Sequence, residues 1–523
     1  MNYIKKVNNV VIFFILALTS FLISYTYYFD HLAIVNTLVQ YNDEIYRDKT
    51  NLFYLMQASV SSFLFVIINF LIKIGFSINF LNISLTFVPT LLNLSGVYLI
   101  CKFITSSTFL SILISITAIT LSKNFGDVDY PTLMFSWHTA GIFALSLSTF
   151  ILGLLTLRNL QFAFLTCLLL LSVHLVVGLW MIGITALSSY FLIKKRNFKK
   201  IGFTIFILLV VLLFHGNSII TTDIPFEFNQ KDYDNYFYYI EAHRTNYGDS
   251  GNLYFDYTLK SFILLTLIFF YLKFDFSNIE NNNNLFFITI SISIICSGII
   301  FLVYKIFPQI FPDIAIRIIP ARFVLIHSIV GYPIIISIIY KFLERFFINK
   351  KLNKNFSLQL ISLIIIFYLF QQLHVIEKRF DNIKIIKENK IKENLFWNKV
   401  KNLKLRGYIL TSNDLCHKTV TYTYIPILFC FDQLDYVPYL PKLATPVKKI
   451  TRKILGISYN ELKYKNLGGI SESEIKKIFE NKSSIEWNII KKDSNLNTII
   501  VPKDWNLDLS LILEDKYKVY RVE

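Results

Sequence analysis

The sequence predicts an α-helical polytopic membrane protein with about eleven transmembrane helices, an interfacial helix and a small extracytoplasmic α/β domain at the C-terminus. Three observations predict this class. Only 17% of the 523 residues are charged, whereas soluble domains average about 25%. Hydrophobic residues make up 54% of the chain, and the mean hydropathy is +0.51. Several apolar runs are long enough to cross a bilayer, which takes about 20 residues each.

The helical body is predicted from a series of apolar runs. They lie at 9–28, 53–76, 79–104, 107–122, 135–157, 160–175, 177–194, 201–214, 257–273, 285–306, 323–347 and 356–373. The shortest has 14 residues. We therefore expect some helices to be tilted, or to lie where the bilayer is locally thin.

Basic residues orient these runs in the membrane. The loop 194–200 is strongly basic, and the positive-inside rule makes it cytoplasmic, together with Lys5 and Lys6 near the N-terminus. Seven apolar runs lie between Lys6 and Lys194. Because an odd number of crossings cannot begin and end on the same side, one of these runs must not cross.

The run 53–76 is the best candidate for the one that does not cross. Its polar residues Ser59, Ser62, Asn69 and Lys73 would share one face of a single helix. This pattern predicts an amphipathic helix along the outer interface, which leaves eleven spans. The N-terminus is then cytoplasmic and the C-terminus extracytoplasmic. The external loops are 29–78, 123–134, 215–256 and 307–322.

The composition of the chain changes after the last apolar run. We therefore divide it into a transmembrane domain at 1–374 and an extracytoplasmic α/β domain at 375–523. In the second domain, Ser471 and Glu474 form a capping box that predicts the start of a short helix. Runs typical of strands lie at 408–411, 498–501 and 517–522.

The five cysteines are too few for a disulfide scaffold. Cys101, Cys167 and Cys296 lie in apolar runs, where we expect them to pack as small hydrophobic residues. Cys416 and Cys430 lie in the polar tail. If the tail is exported, an oxidising compartment would permit these two cysteines to pair.

The net charge of +17 would suggest a nucleic-acid partner in a soluble protein. Here many of the Lys and Arg residues flank apolar runs or lie in the tail. Topology and anionic lipid explain this charge more simply, so we expect membrane lipids and no nucleic acid as partners. The abundance of Ile, Asn, Lys and Phe suggests an AT-rich bacterial genome.

Two acidic motifs lie in the predicted external loops. Asp43 and Glu44 are adjacent, and like charges raise the pKa of one of two carboxyl groups, so the pair could serve as a base and its orienting group. The alternative is a solvated loop whose acids cap helices.

Asp127 and Asp129 form an Asp-x-Asp pair, which can present oxygen ligands to Mg²⁺ or Mn²⁺ beside a phosphate. Such pairs also occur in loops by chance.

Cations on the outer side of the membrane are disfavoured by the positive-inside rule and need an explanation. His243 and Arg244 lie in the long third loop, whose length favours a function. Arg317 and Arg322 lie in the fourth external loop. Arginines at the level of the membrane usually have a partner. A phosphate is a natural partner, because the guanidinium group binds it through two hydrogen bonds. The alternative is that the arginines extend to the lipid head groups.

Several common catalytic motifs are missing from the sequence. It contains no G-x-x-x-x-G-K-[ST] loop, no H-E-x-x-H motif and no G-x-S-x-G motif. This argues against ATP-driven transport and against zinc or serine hydrolysis.

The layout resembles the GT-C superfamily of membrane glycosyltransferases, which includes protein O-mannosyltransferases, oligosaccharyltransferases and lipid A aminoarabinose transferases. Four features carry the resemblance: the Asp-Glu-Ile-Tyr motif at 43–46, the interfacial helix after it, the acids at 127–129, and an extracytoplasmic domain after a multi-span body. The Asp-Glu pair is similar to the mannosyltransferase motif, whose first Asp is the proposed base. The W-W-D-x-G motif of oligosaccharyltransferases is not in the sequence.

The resemblance implies an inverting transfer of a hexose or pentose from a polyprenyl-phosphate donor to a lipid, glycan or protein acceptor. The reaction would take place at the outer face of a bacterial cytoplasmic membrane. Two other functions fit the same features. One is a non-enzymatic transporter or flippase of a lipid-linked glycan, which would need no acidic base. The other is a polymerase or ligase of surface polysaccharide. The acidic pairs and the large tail favour transfer.

The resemblance also implies roles for individual residues. Asp43 would accept the proton of the acceptor hydroxyl, and Glu44 would orient it. Asp127 and Asp129 would orient the acceptor or bind a divalent cation, Mg²⁺ or Mn²⁺, which is the only cofactor expected. The residues that would bind the phosphate are His243, Arg244, Arg317 and Arg322.

Overall fold

The computed structural model describes residues 2–26, 30–121, 139–192, 224–239, 247–275, 285–307, 326–350, 355–431, 434, 437, 440–456 and 471–523. These residues form a large helical body followed by a small α/β unit. A 3₁₀ turn, Ile326–Val330, precedes the helix that begins at Gly331. The helices of the body are α1 (Asn2–Thr26), α2 (Leu32–Tyr41), α3 (Leu52–Ala58), α4 (Phe63–Lys73), α5 (Ile78–Thr105), α6 (Thr108–Leu121), α7 (Thr139–Thr156), α8 (Leu160–Val173), α9 (Leu175–Leu192), α10 (Gln230–Tyr239), α11 (Tyr247–Asp275), α12 (Leu285–Ile306), α13 (Gly331–Asn349) and α14 (Asn355–Asn402).

The body contains helices that fit a membrane. Within the part of the chain that the structure describes, two segments are long and apolar enough to cross a bilayer, Asn9–Thr26 and the whole of α5. The pair α3 and α4 would make a third if its two helices are one broken span. Further apolar helices in the same part have 10–17 residues. The number of eleven spans stays a prediction.

Helix α5 lies at the centre of the body, where α1, α6, α7 and α13 pack against it. Its contact with α7 is close because both helices carry a glycine at the crossing. A Cβ on Gly96 would lie 2.5 Å from the carbonyl oxygen of Thr149, and a Cβ on Gly153 would lie 2.9 Å from the backbone of Gly96. Any larger residue at Gly96 would therefore push the two helices apart.

The run 53–76 does not form the single amphipathic helix that we expected. The chain bends by 108° between α3 and α4. The bend occurs because Ser62 caps α4, with its hydroxyl accepting from Leu64 N at 3.3 Å. The exposed face of α4 carries Phe63, Ile67 and Phe70 and is apolar. The polar face predicted for one continuous helix is therefore broken at Ser62.

The C-terminal unit contains one mixed sheet of four strands in the order β1-β2-β4-β3. The first pair is parallel, and the other two pairs are antiparallel. Three of these strands confirm the predicted runs, and the capping box of Ser471 and Glu474 is present. The strands are β1 (Tyr408–Thr411), β2 (Leu496–Pro502), β3 (Ser510–Glu514) and β4 (Tyr517–Arg521). The helices are α15 (Asn413–Thr423), α16 (Ala444–Leu455), α17 (Glu472–Glu480) and α18 (Ser484–Ser494), with a 3₁₀ turn at Pro441–Leu443.

The cysteines take the places that their sequence context indicated. Cys416, on α15, and Cys430 form a disulfide with their Cα atoms 6.0 Å apart. Cys101 and Cys167 are buried free thiols in the body, and Cys296 is partly exposed. The bond ties the segment that follows α15 back onto that helix.

Helix α14 joins the body to the C-terminal unit without a break. It has 48 residues and runs through the predicted domain boundary between 374 and 375. It packs on α6 and α13 and also on α15 of the C-terminal unit. The first strand begins at Tyr408, so the α/β unit starts after this helix ends.

Candidate functional site

Asp43 lies in the turn between α2 and α3 and is 88% exposed. Lys49 Nζ donates to its carboxylate at 2.7 Å. This hydrogen bond and the positive charge of Lys49 lower the pKa of Asp43. The raised pKa that we expected from the neighbouring carboxylate is therefore not found at Asp43, because Lys49 is its nearest partner.

Glu44 is also exposed, in the same turn. Its backbone N–H donates to Asn42 Oδ1 at 3.2 Å, and Ile45 N donates to Asn42 O at 3.1 Å. These two bonds fix the turn and direct the carboxylates of Asp43 and Glu44 to its surface. The pair can accept hydrogen bonds from a ligand that arrives from solvent.

Tyr46 follows directly and anchors this turn to the C-terminal unit. The side chain is 1% exposed, and its hydroxyl donates to Ile427 O at 3.3 Å and accepts from Ile427 N at 3.0 Å. Asn51 Nδ2 donates to the carbonyl oxygens of Ile427 and Leu428, both at 3.3 Å. The loop that carries the acidic motif is therefore hydrogen-bonded to a segment almost 400 residues later in the chain.

The third predicted loop is attached to the same unit through α10. Tyr233 and Tyr236 are fully buried, and the hydroxyl of Tyr236 donates to Leu434 O. Asp232 accepts from Lys448 Nζ at 2.6 Å and from Thr445 at 2.8 Å. The first loop and the third loop thus both contact the tail.

The sequence analysis did not single out Asp30, a further carboxylate of the first loop that lies shortly after α1. Asp30 accepts from Tyr422 Oη at 2.9 Å and from Asn82 Nδ2 at 3.2 Å. The next residue, His31, is buried, with its N–H bonded to Asn82 Oδ1 at 3.0 Å and its Nε2 lying 2.9 Å from Thr86 Oγ1. Burial lowers the pKa of His31 to about 4. The position of Asp30 directly after the first apolar run was the available signal.

An ionic cluster between α14 and the sheet was also missed. Glu393 accepts from Lys418 at 3.0 Å, from Lys516 at 3.3 Å and from Tyr517 at 2.8 Å. Burial alone would raise the pKa of Glu393, but these three partners outweigh it and the pKa is lowered. Burial lowers the pKa of Lys390, one turn earlier, to about 8. No local motif predicts this cluster, because its members come from three distant elements.

The other predicted site residues lie outside the described residues. They are Asp127, Asp129, His243, Arg244, Arg317 and Arg322. Within the described ranges, no group of three or more His, Cys, Asp or Glu side chains could hold a metal ion. Of the predicted site residues, the structure therefore describes Asp43 and Glu44. It also shows that α10, which precedes His243 and Arg244 in the chain, contacts the C-terminal unit.

Comparisons with known proteins add a remote likeness. No protein-family model matches the chain, and no curated protein matches it. The structure is similar to that of an archaeal oligosaccharyltransferase, AglB from Archaeoglobus fulgidus, in complex with an inhibitory peptide and a dolichol-phosphate. The alignment covers 96% of this chain and 70% of that chain, at 12% sequence identity and a TM-score of 0.39. A likeness this low assigns neither an activity nor a residue to this chain.

Proposed function

We propose that the protein transfers a sugar from a polyprenyl-phosphate donor to an acceptor hydroxyl at the outer face of a bacterial cytoplasmic membrane. One observation carries the proposal: the C-terminal unit binds both the acidic first loop, through Tyr46 and Asn51, and the third loop, through Tyr233 and Tyr236. In the proposed reaction a carboxylate accepts a proton while cations stabilise the leaving phosphate, so the acidic loop and the basic loop must act at the same place.

The chemistry assigned to the first loop is proton acceptance. Asp43 is ionised at neutral pH, as an Asp with an ordinary pKa of about 3.9 is, and Lys49 lowers its pKa further. An ionised carboxylate can accept the proton of an acceptor hydroxyl as that hydroxyl attacks the anomeric carbon. Glu44, in the same turn, would orient that hydroxyl. The proton leaves the acceptor oxygen for Asp43 as the bond from the sugar to the phosphate breaks.

The leaving phosphate gains negative charge in this reaction and needs cations beside it. We assign this role to the four basic residues of the third and fourth loops. Arg side chains suit the role, because the planar guanidinium group offers two parallel hydrogen bonds to phosphate. The residues are His243, Arg244, Arg317 and Arg322.

A divalent cation belongs to the same proposal. Asp127 and Asp129 would supply carboxylate oxygens, the ligand type that Mg²⁺ and Mn²⁺ prefer. The bound cation would supply positive charge near the phosphate. Loss of transfer activity in EDTA, with recovery on adding Mg²⁺ or Mn²⁺, tests this part separately.

The membrane arrangement completes the proposal. The chain would cross the membrane eleven times, with a cytoplasmic N-terminus and an extracytoplasmic C-terminus. The contacts of the first and third loops with the tail support a common side for all three. A reporter fused after Glu523 that is active only in the cytoplasm would contradict this topology.

The test is a transfer assay on the full chain in nanodiscs, with a panel of polyprenyl-phosphate hexoses and pentoses. We expect Asp43→Asn to lower the rate by about 10²–10⁴-fold, the usual effect of losing a general base. Asp504→Asn is the matched control, because Asp504 is also an exposed carboxylate paired with a lysine, Lys476. Asp30→Asn tests another carboxylate of the first loop.

Each result has one reading. Loss of rate in Asp43→Asn with a normal rate in the control supports Asp43 as the base. A rate within about twofold of the wild-type rate excludes Asp43. In a parallel experiment with the chain in proteoliposomes, movement of the donor across the vesicle membrane without any sugar transfer would indicate a flippase in place of an enzyme.

A further inference from the structure

Amide side chains are buried where the first loop bends. Gln40 Nε2 donates to Gln57 O at 2.6 Å and to Val60 O at 2.8 Å. These two bonds hold the 108° bend between α3 and α4 against α2. Asn36 lies one turn before Gln40 and on the same side of α2. Since α2 packs on both α3 and α4, this side of α2 faces the bend.

Two of these amides carry buried side-chain atoms that have no hydrogen-bond partner among the described residues. Gln57 is 0% exposed and Asn36 is 3% exposed. Among the described residues, neither Nε2 nor Oε1 of Gln57 has a partner, and Oδ1 of Asn36 has none. A buried polar group that is left unpaired costs about 1–3 kcal/mol, and folded proteins contain few of them. The closed bend is therefore less stable than an apolar one would be, and a ligand that hydrogen-bonds these atoms would offset this cost.

We propose that Asn36 and Gln57 line a polar subsite that binds hydroxyl groups of a sugar when the α3–α4 bend opens. The proposal rests on the proposed function and names the place where the sugar ring is held. An amide oxygen accepts and an amide NH₂ group donates, and a sugar hydroxyl can do both. Neither side chain is charged, so the subsite suits neutral hydroxyls and not the phosphate of the donor.

The location fits a sugar that reacts at the first loop. Helix α2 carries Asn36 and ends at Tyr41, just before the turn of Asp43 and Glu44, and Gln57 lies in α3, which begins at Leu52, eight positions after Glu44. A sugar held by both helices would lie at the base of the connection that carries the acidic turn.

Opening the bend would break three side-chain hydrogen bonds and separate the packed faces of α2, α3 and α4. Besides the two bonds from Gln40, the hydroxyl of Ser62 donates to Val173 O at 3.0 Å. Of the residues between the two helices, 59–61 are partly exposed and Ser62 is buried. Because the subsite must open before it binds, its apparent affinity for a free sugar is reduced by the fraction of open molecules. We therefore expect weak binding of simple sugars.

The experiment measures sugar binding to the full chain in nanodiscs by saturation-transfer difference NMR. The probes are the methyl glycosides of common hexoses and pentoses. Gln57→Leu removes two unpaired polar atoms at little change in volume, so we expect an unfolding midpoint equal to or above that of the wild type. We expect its affinity for the glycosides that the wild type binds to fall at least tenfold.

Asn93→Leu is the matched control. Asn93 is 4% exposed, and its Oδ1 has no partner among the described residues, but it lies in α5, away from the bend. We expect this variant to bind glycosides as the wild type does. If Gln57→Leu does not fold, Asn36→Leu is measured in its place with the same expected loss.

Two results would overturn the proposal. One is wild-type affinity in the Gln57→Leu variant, which would leave an ordered water as the occupant of the site. The other is a wild-type protein that binds no glycoside of the panel. The binding measurement needs no turnover, so it is independent of the Asp43→Asn result. A normal transfer rate in Asp43→Asn would remove the proposed base and leave the subsite untouched.

Discussion

Removal of the Cys416–Cys430 disulfide should loosen the C-terminal unit and, with it, the first loop. The bond closes a loop whose ends are 14 residues apart, and both cysteines are fully buried. In the chain-entropy model, a closed loop of this size contributes about 3 kcal/mol at 25 °C. The loop includes Ile427 and Leu428, which bind Tyr46 and Asn51 of the first loop.

The double variant Cys416→Ala, Cys430→Ala is compared with the wild type by limited proteolysis in nanodiscs. A loss of about 3 kcal/mol raises the population of opened molecules by about two orders of magnitude. Cleavage within 412–431 should rise by the same factor when opening is fast relative to cleavage. Cys296→Ala, which removes a free thiol, is the control and should be cleaved as the wild type is.

Two outcomes would refute this reasoning. The first is that thiol labelling of the denatured wild type finds Cys416 and Cys430 both free. The second is an unchanged cleavage rate in the double variant, which would show that the packing of α15 alone holds the segment in place.

Three further predictions concern the loops. Tyr46→Phe leaves the N–H of Ile427 buried and unpaired, so denaturant unfolding should show a loss of about 1–3 kcal/mol. Burial lowers the pKa of His31 from 6.5 to about 4. Between these two pH values the unfolded chain therefore binds more protons than the folded chain. Stability should therefore fall by about 2 kcal/mol from pH 7 to pH 5, and His31→Gln should lack this slope. Arg317→Lys and Arg322→Lys should each weaken binding of a polyprenyl-phosphate sugar in a direct binding assay, because Lys lacks the planar fork of Arg.

The local features of the fold were the predictable ones. The strand at 408–411 has the composition typical of strands, and the capping box of Ser471 and Glu474 depends on two residues three positions apart. The bend after α3 could have been predicted in the same way, because Ser62 is a good N-cap. It was missed because the spacing of Ser59, Ser62, Asn69 and Lys73 on one helical face favoured one continuous helix.

The contacts that define the candidate site were not predictable, because they join residues far apart in the chain. Tyr46 and Ile427 are separated by 381 positions, and Asp30 and Tyr422 by 392. No periodicity or spacing in a single sequence reports such pairs. The adjacency of Asp43 and Glu44 was visible, whereas the neutralising partner Lys49 became evident only from the fold of the turn.

The unbroken length of α14 gives the protein a mechanical property. At 1.5 Å per residue, its 48 residues extend about 72 Å, more than twice the hydrocarbon thickness of a bilayer. One end packs on α6 and α13, and the other end carries α15. A tilt of about 5° at the first end would swing the second by about 6 Å. The helix would therefore act as a lever. A change in bilayer thickness that tilts it would displace the C-terminal unit by more than the length of a hydrogen bond. The loops that contact this unit would move with it.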